Sequence, residues 1–104
     1  YLLDGFEFID CELSGNIENS AIYGGIVDGA QIIRSQLYKG CEVKDSKVES
    51  SYVHGSCQLT NCFVFGRDGI FKGRMIGGIF REGGIGPHAR FDDTEIVVST
   101  KINS

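Results

Sequence analysis

The sequence predicts an all-β fold: a right-handed parallel β-helix (β-solenoid) of about four coils with a C-terminal capping strand segment. Three observations predict it. The 104 residues include 15 Gly and 1 Pro, a composition that favours tight bends over long helices. Large apolar residues, here called centres, recur from Phe8 to Ile85, and eleven of the fifteen steps between them are five residues long. Two positions before thirteen of the sixteen centres stands a Gly, Ala, Ser or Cys.

A five-residue period indicates a short extended segment followed by a bend, because it matches neither the alternation of a long strand nor the pitch of a helix. We expect four such segments to close a coil of about twenty residues, with the centres stacked inside it. Val43 and Val64 then share one interior column. The small residues would lie inward near the corners, so Cys41 and Cys62 are expected to be neighbouring, unpaired and poorly nucleophilic thiols.

The rhythm of the centres also sets the predicted domain limits. Residues 1–5 form an N-terminal cap, residues 6–86 the solenoid, and residues 87–104 a C-terminal cap. The extra residue of a six-residue step is expected to bulge from a corner, as at Ser35 before the centre Tyr38.

Three stretches share one pattern: Phe8-x-x-Cys11-x-Leu13, Tyr38-x-x-Cys41-x-Val43 and Leu59-x-x-Cys62-x-Val64. The pattern resembles the pentapeptide-repeat family, and the resemblance covers residues 6–85. It implies a right-handed quadrilateral β-helix. Some members of that family look like DNA in shape and charge and bind topoisomerases, which would require an acidic stripe here, formed by Glu7, Asp10, Asp28 and Glu49.

Charge and composition argue against several classes of function. The net charge of -4 and the scattered Lys and Arg residues disfavour nucleic-acid binding, and the lack of a long apolar run disfavours a membrane span. The four Cys and two His lack the paired spacing of a zinc site, and no GxSxG motif occurs. Gly84–Ala89 matches a dinucleotide-binding pattern only formally, without the helix that should follow. We expect no catalytic residues, no cofactor and no metal; a small-molecule ligand is not expected either.

Outward positions beside the centres carry the candidate functional residues. A cluster of large apolar side chains with two arginines at its rim is expected to form a subunit or partner interface: Phe63, Phe65, Phe71, Ile76, Ile79, Arg74 and Arg81. The alternative is that residues 88–104 fold back over this cluster.

The sequence therefore predicts a non-catalytic structural or protein-interaction module, homo-oligomeric or bound to a protein partner, and a segment of a larger protein of the phage or virion type. Its unpaired cysteines favour a reducing cytoplasm, or else a virion. Two alternatives stay open. One is the DNA-mimicking protein that binds a type II topoisomerase. The other is a glycan-binding or glycan-hydrolysing β-helix in which outward Tyr23 and Tyr52 stack on sugars.

Overall fold

The computed structural model describes residues 2–98, which form short β-strands joined by tight corners, with no helix among them. In chain order the strands are β1 (Leu2–Asp4), β2 (Glu7–Ile9), β3 (Glu12–Glu18), β4 (Ala21–Tyr23), β5 (Ile26–Ile33), β6 (Gln36–Tyr38), β7 (Glu42–Lys44), β8 (Lys47–Glu49), β9 (Tyr52–Val53), β10 (Gln58–Thr60), β11 (Phe63–Phe65), β12 (Ile70–Phe71), β13 (Arg74–Ile76), β14 (Ile79–Arg81), β15 (Gly84–Ile85), β16 (Arg90–Asp92) and β17 (Glu95–Val98). The predicted all-β class is confirmed for this part of the chain.

The strands pair in parallel from coil to coil, so the chain is a β-solenoid of about 6 turns, more than the four or so coils that the sequence predicted. Side A of the coil consists of β2, β4, β6, β9, β12 and β15. Side B consists of β7, β10, β13 and β16 with the N-terminal parts of β3 and β5. Side C consists of β1, β8, β11, β14 and β17 with the C-terminal parts of β3 and β5. The predicted parallel stacking is confirmed, and the right-handed sense of the coil stays a prediction.

The coil has three sides, not the four that the sequence predicted. On side B, Val43 pairs with Leu59, sixteen residues later. On side C, Val64 pairs with Val48 and Phe80 at the same spacing. Val43 and Val64 therefore lie in different columns, and the predicted columns were wrong. The step of about five residues was right: three such steps close a coil, and from β5 onward one extra corner residue gives the spacing of sixteen on sides B and C.

Sharp corners explain why three sides suffice. Between sides B and C, a residue with positive φ recurs every sixteen residues, at Asp45, Asn61, Gly77 and Asp93, with φ from 48 to 68°. Asp, Asn and Gly are the residue types that adopt this left-handed conformation most readily. A single such residue turns the chain sharply enough for the next side to begin.

The columns of the interior take one apolar residue from each short strand and two from each of the long strands β3 and β5. The columns are Phe8, Ile22, Leu37, Val53, Phe71 and Ile85 on side A; Leu13, Val27, Val43, Leu59, Met75 and Phe91 on side B; and Leu3, Ile17, Ile32, Val48, Val64, Phe80 and Ile96 on side C. Most of these side chains are fully buried, whereas Ile96 in the last rung is 47% exposed.

Two predicted centres are one residue out of place. Leu37 is buried where Tyr38 was predicted, and Phe71 is 1% exposed where Ile70 was predicted. The six-residue step that was predicted to end at Tyr38 therefore has its extra residue after the strand and not at Ser35. This residue lies at the corner of Lys39 and Gly40, where both residues have positive φ. Leu37 and Phe71 are therefore interior residues, and the prediction that Phe71 points outward was wrong.

A ladder of buried serines satisfies the backbone at the corner between sides C and A. Ser35 donates its hydroxyl to the Ile33 carbonyl at 2.9 Å and accepts the amide N–H of Ser20 from the adjacent coil at 3.1 Å. Ser51 repeats this arrangement, with its Oγ accepting the Ser35 amide at 3.1 Å. Each serine thus joins two coils without leaving a buried polar group unpaired.

We expect Ser35→Ala to destabilise the protein by about 1–3 kcal/mol, because it leaves the buried Ser20 amide without an acceptor. The exposed Ser14 provides a control, and Ser14→Ala is expected to change stability by less than about 0.5 kcal/mol. Urea unfolding followed by circular dichroism measures both. Equal free energies of unfolding for the two variants would show that the ladder contributes nothing.

The stack extends past both predicted domain limits. Strand β1 pairs in parallel with β3, and β16 and β17 pair in parallel with β13 and β14. Residues 2–4 and 90–98 are therefore rungs of the solenoid. Tyr1 and residues 99–104, which belong to the predicted caps, lie outside the described residues. None of the described elements is a helix able to cross a membrane.

Candidate interaction face

The outer surface of side C carries an aromatic pair. Phe63 and Phe65 flank the buried Val64 in β11, and strand alternation points both rings outward. The two rings stack with their centroids 4.7 Å apart, and both side chains remain half-buried. Each ring therefore keeps apolar surface in contact with solvent.

The parallel register fixes the neighbours of this pair. Phe63 lies between Lys47 of the preceding rung and Ile79 of the following one. Phe65 lies between Glu49 and Arg81. We call Lys47, Glu49, Phe63, Phe65, Ile79 and Arg81 the side C face. Its apolar centre is bordered by charged residues of both signs on the neighbouring rungs.

Two shallow grooves border Phe65. One of about 380 Å³ is lined by Phe63, Phe65, Gly66, Arg81 and Glu82. The other, of about 180 Å³, is lined by Gln31, Ile32, Ile33, Lys47, Glu49 and Phe65. The surface around the Phe65 ring therefore has grooves into which side chains of a partner can fit.

The structure divides the seven residues of the predicted interface into three groups. Phe63, Phe65, Ile79 and Arg81 lie together on the side C face. Arg74 and Ile76 lie around the corner on side B, where Arg74 forms an ion pair with Asp92 at 2.9 Å.

Phe71 does not belong to the predicted surface. Its ring packs inside the solenoid against Phe80 and Phe91, with centroids 5.9 and 5.3 Å away. Its outward placement was wrong because the sequence assigned the centre of β12 to Ile70. The interface role of the six remaining residues stays a prediction.

Sequence reasoning missed Lys47 and Glu49 as members of this face. Lys47, Phe63 and Ile79 are spaced by sixteen residues, as are Glu49, Phe65 and Arg81. The predicted four-sided coil of about twenty residues places these residues in different columns. A search for repeats at a spacing of sixteen would have brought them together.

Side A carries a row of outward aromatic side chains. Tyr23 and Tyr38 stack with centroids 5.2 Å apart, and Tyr38 contacts Tyr52 at 5.6 Å. The ammonium group of Lys72 lies 5.3 Å from the Tyr52 ring. The outward placement of Tyr23 and Tyr52 is as predicted. Tyr38 covers one face of Tyr23, however, and Tyr38 and Lys72 both contact Tyr52, so part of each ring is already in contact with other side chains of the chain.

The acidic stripe implied by the family resemblance is absent. Glu7 lies on side A, Asp28 on side B and Glu49 on side C, while Asp10 occupies a corner. Carboxylates on three different faces do not form one continuous row.

All four cysteines are unpaired thiols. Cys41 neighbours Cys57, not Cys62 as the sequence predicted. The hydrogen bond with Cys57, together with burial, raises the pKa of the Cys41 thiol, and the same bond lowers the pKa of Cys57. Burial raises the pKa of Cys62 to about 11. Within residues 2–98, no group of three or more His, Cys, Asp or Glu side chains could hold a metal ion.

Comparisons with protein-family models and with curated proteins find no match for the chain. The resemblance to pentapeptide repeats therefore has no family match to support it, and the quadrilateral coil that it implies differs from the three-sided coil observed. Because no family matches, the chain is characterised by its fold alone, which is a parallel β-solenoid.

Proposed function

We propose that the chain is a non-catalytic structural module that binds a protein partner through the side C face. The observation that supports this proposal is the half-buried Phe63–Phe65 pair, which lies on the outer surface of side C between rungs with apolar and charged residues. Aromatic side chains bordered by charges are typical of the central residues of protein interfaces. A rod of this kind suits a segment of a larger assembly, such as a phage or virion component.

No observation gives comparable support to the alternatives. The tyrosines of side A stack on each other, and the carboxylates required for DNA mimicry lie on separate faces. We therefore propose neither glycan binding nor topoisomerase binding.

The test compares Phe65→Asp with Ile26→Asp, which places the same charge at an exposed apolar position on side B. We expect the wild-type protein to bind an apolar fluorescent dye when dilute and to associate in sedimentation velocity at higher concentration. Phe65→Asp should abolish both properties, and Ile26→Asp should retain them, because a carboxylate at the centre of an interface loses its hydration. A wild-type protein that is monomeric and binds no dye contradicts the proposal.

A further inference from the structure

We propose that the partner of the side C face is a second copy of the chain, bound in a two-fold dimer whose dyad runs parallel to the long axis of the solenoid. This inference rests on the proposed function, because it names the partner of the same face.

A dyad in this direction places every rung opposite the same rung of the second copy and exchanges the two outward columns. Phe63 of one copy then faces Phe65 of the other, so the aromatic pair is covered by an identical pair. The interface is isologous, and each contact occurs twice. Neither phenylalanine remains in contact with solvent.

The charges of the face match in the same arrangement. Lys47 and Glu49 occupy the two outward columns of β8, one rung from the aromatic pair. Among residues 2–98, neither side chain takes part in an ion pair within the chain. In the dimer, Lys47 of each copy lies opposite Glu49 of the other, which forms two reciprocal ion pairs beside the aromatic centre.

The neighbouring rung fits the same geometry. Arg81 of one copy faces Ile79 of the other, so the aliphatic part of the arginine covers the isoleucine while the guanidinium group reaches solvent at the rim. On the rung of β5, Gln31 faces Ile33. On the rungs of β5, β8, β11 and β14, no residue faces a side chain of its own charge.

The area of contact favours this direction of the dyad over the antiparallel one. Side C as a whole is as long as the 33 Å axis of the molecule and one short strand wide, so the dimer buries roughly 400–500 Å² per partner, the size of a weak or transient interface. An antiparallel dimer centred on β11, the fifth of seven rungs on side C, overlaps only five rungs. The parallel arrangement uses all seven and therefore excludes the most water.

Charge reversal provides the test. Lys47→Glu and Glu49→Lys each place like charges opposite one another in the proposed dimer and should weaken dimerisation roughly tenfold. The double variant K47E/E49K keeps the net charge and restores both ion pairs, so its dimerisation constant should return to the wild-type value. Sedimentation equilibrium over a concentration series measures all four proteins, and circular dichroism checks that each is folded.

Three results would overturn the inference. The first is that wild type stays monomeric; dye binding that depends on Phe65 would then leave the proposed function standing with a different partner. The second is that the double variant fails to recover while Glu49→Arg is rescued by Arg81→Glu, which indicates an antiparallel dimer. The third is growth beyond the dimer that no substitution on side C affects, which indicates association through the ends of the stack.

Discussion

Replacing Gly25 with alanine is expected to destabilise the protein by about 3 kcal/mol or more, whereas Gly29→Ala should cost only about 1–2 kcal/mol. Both glycines have positive φ, 82° and 64° respectively, so both substitutions carry the cost of a left-handed alanine. They differ in the space around the new methyl group. A Cβ at Gly25 overlaps the carbonyl oxygen of Cys11 and lies 2.7 Å from its amide nitrogen, and one at Gly29 meets nothing within 4 Å.

The obstruction at Gly25 is backbone of the neighbouring coil, which cannot move aside as the end of a flexible side chain can. The difference between the two variants therefore measures how tightly the coils stack. Urea unfolding followed by circular dichroism gives both free energies. Indistinguishable losses at Gly25 and Gly29 would mean that the two coils are not in contact at this corner.

Phe71→Ala is expected to lower the free energy of unfolding by about 3–5 kcal/mol, and Ile70→Ala by about 1 kcal/mol or less. The Phe71 ring is buried against Phe80 and Phe91, so its removal leaves a cavity in the core. Ile70 is 37% exposed and lies on the outer surface of side A. A loss of that size is a large share of the total stability of a small domain.

This pair of substitutions separates the two assignments of the coil, because the four-sided coil places Ile70 inside and Phe71 outside. Thermal unfolding of the two variants gives a second, independent comparison. If Ile70→Ala proves more destabilising than Phe71→Ala, the three-sided register is wrong at this strand.

Local chemistry made much of the fold predictable. The spacing of the apolar centres and the small residues before them reflects strand alternation and corner crowding, which act within a few residues. For this reason most centres, such as Val27 and Leu59, are buried as expected. The parallel stacking follows from the same repetition, because identical segments in succession bury their apolar residues only by stacking on one another.

The number of sides could not be predicted in the same way. It depends on the angle that the chain turns at each corner. That angle is set by single residues with positive φ such as Lys39 and Ser50, and Lys and Ser are not residue types from which this conformation can be predicted. A wrong number of sides changes the vertical neighbour of every outward residue. The prediction therefore grouped Phe63, Phe65, Ile79 and Arg81 on one outward surface but missed Lys47 and Glu49 beside them.

The vertical neighbours can be measured directly by nuclear magnetic resonance, through scalar couplings across backbone hydrogen bonds. The three-sided coil predicts couplings from the amide of Gln58 to the carbonyl of Cys41 and from the amide of Arg74 to the carbonyl of Cys57, since these bonds have lengths of 2.9 and 3.0 Å. Couplings between the amide and carbonyl partners of the parallel rungs on all three sides, such as the amide of Lys72 and the carbonyl of Val53 on side A, would establish the coil. A coupling that instead joins the carbonyl of Cys41 to an amide one four-sided coil later, near Phe63, would contradict it.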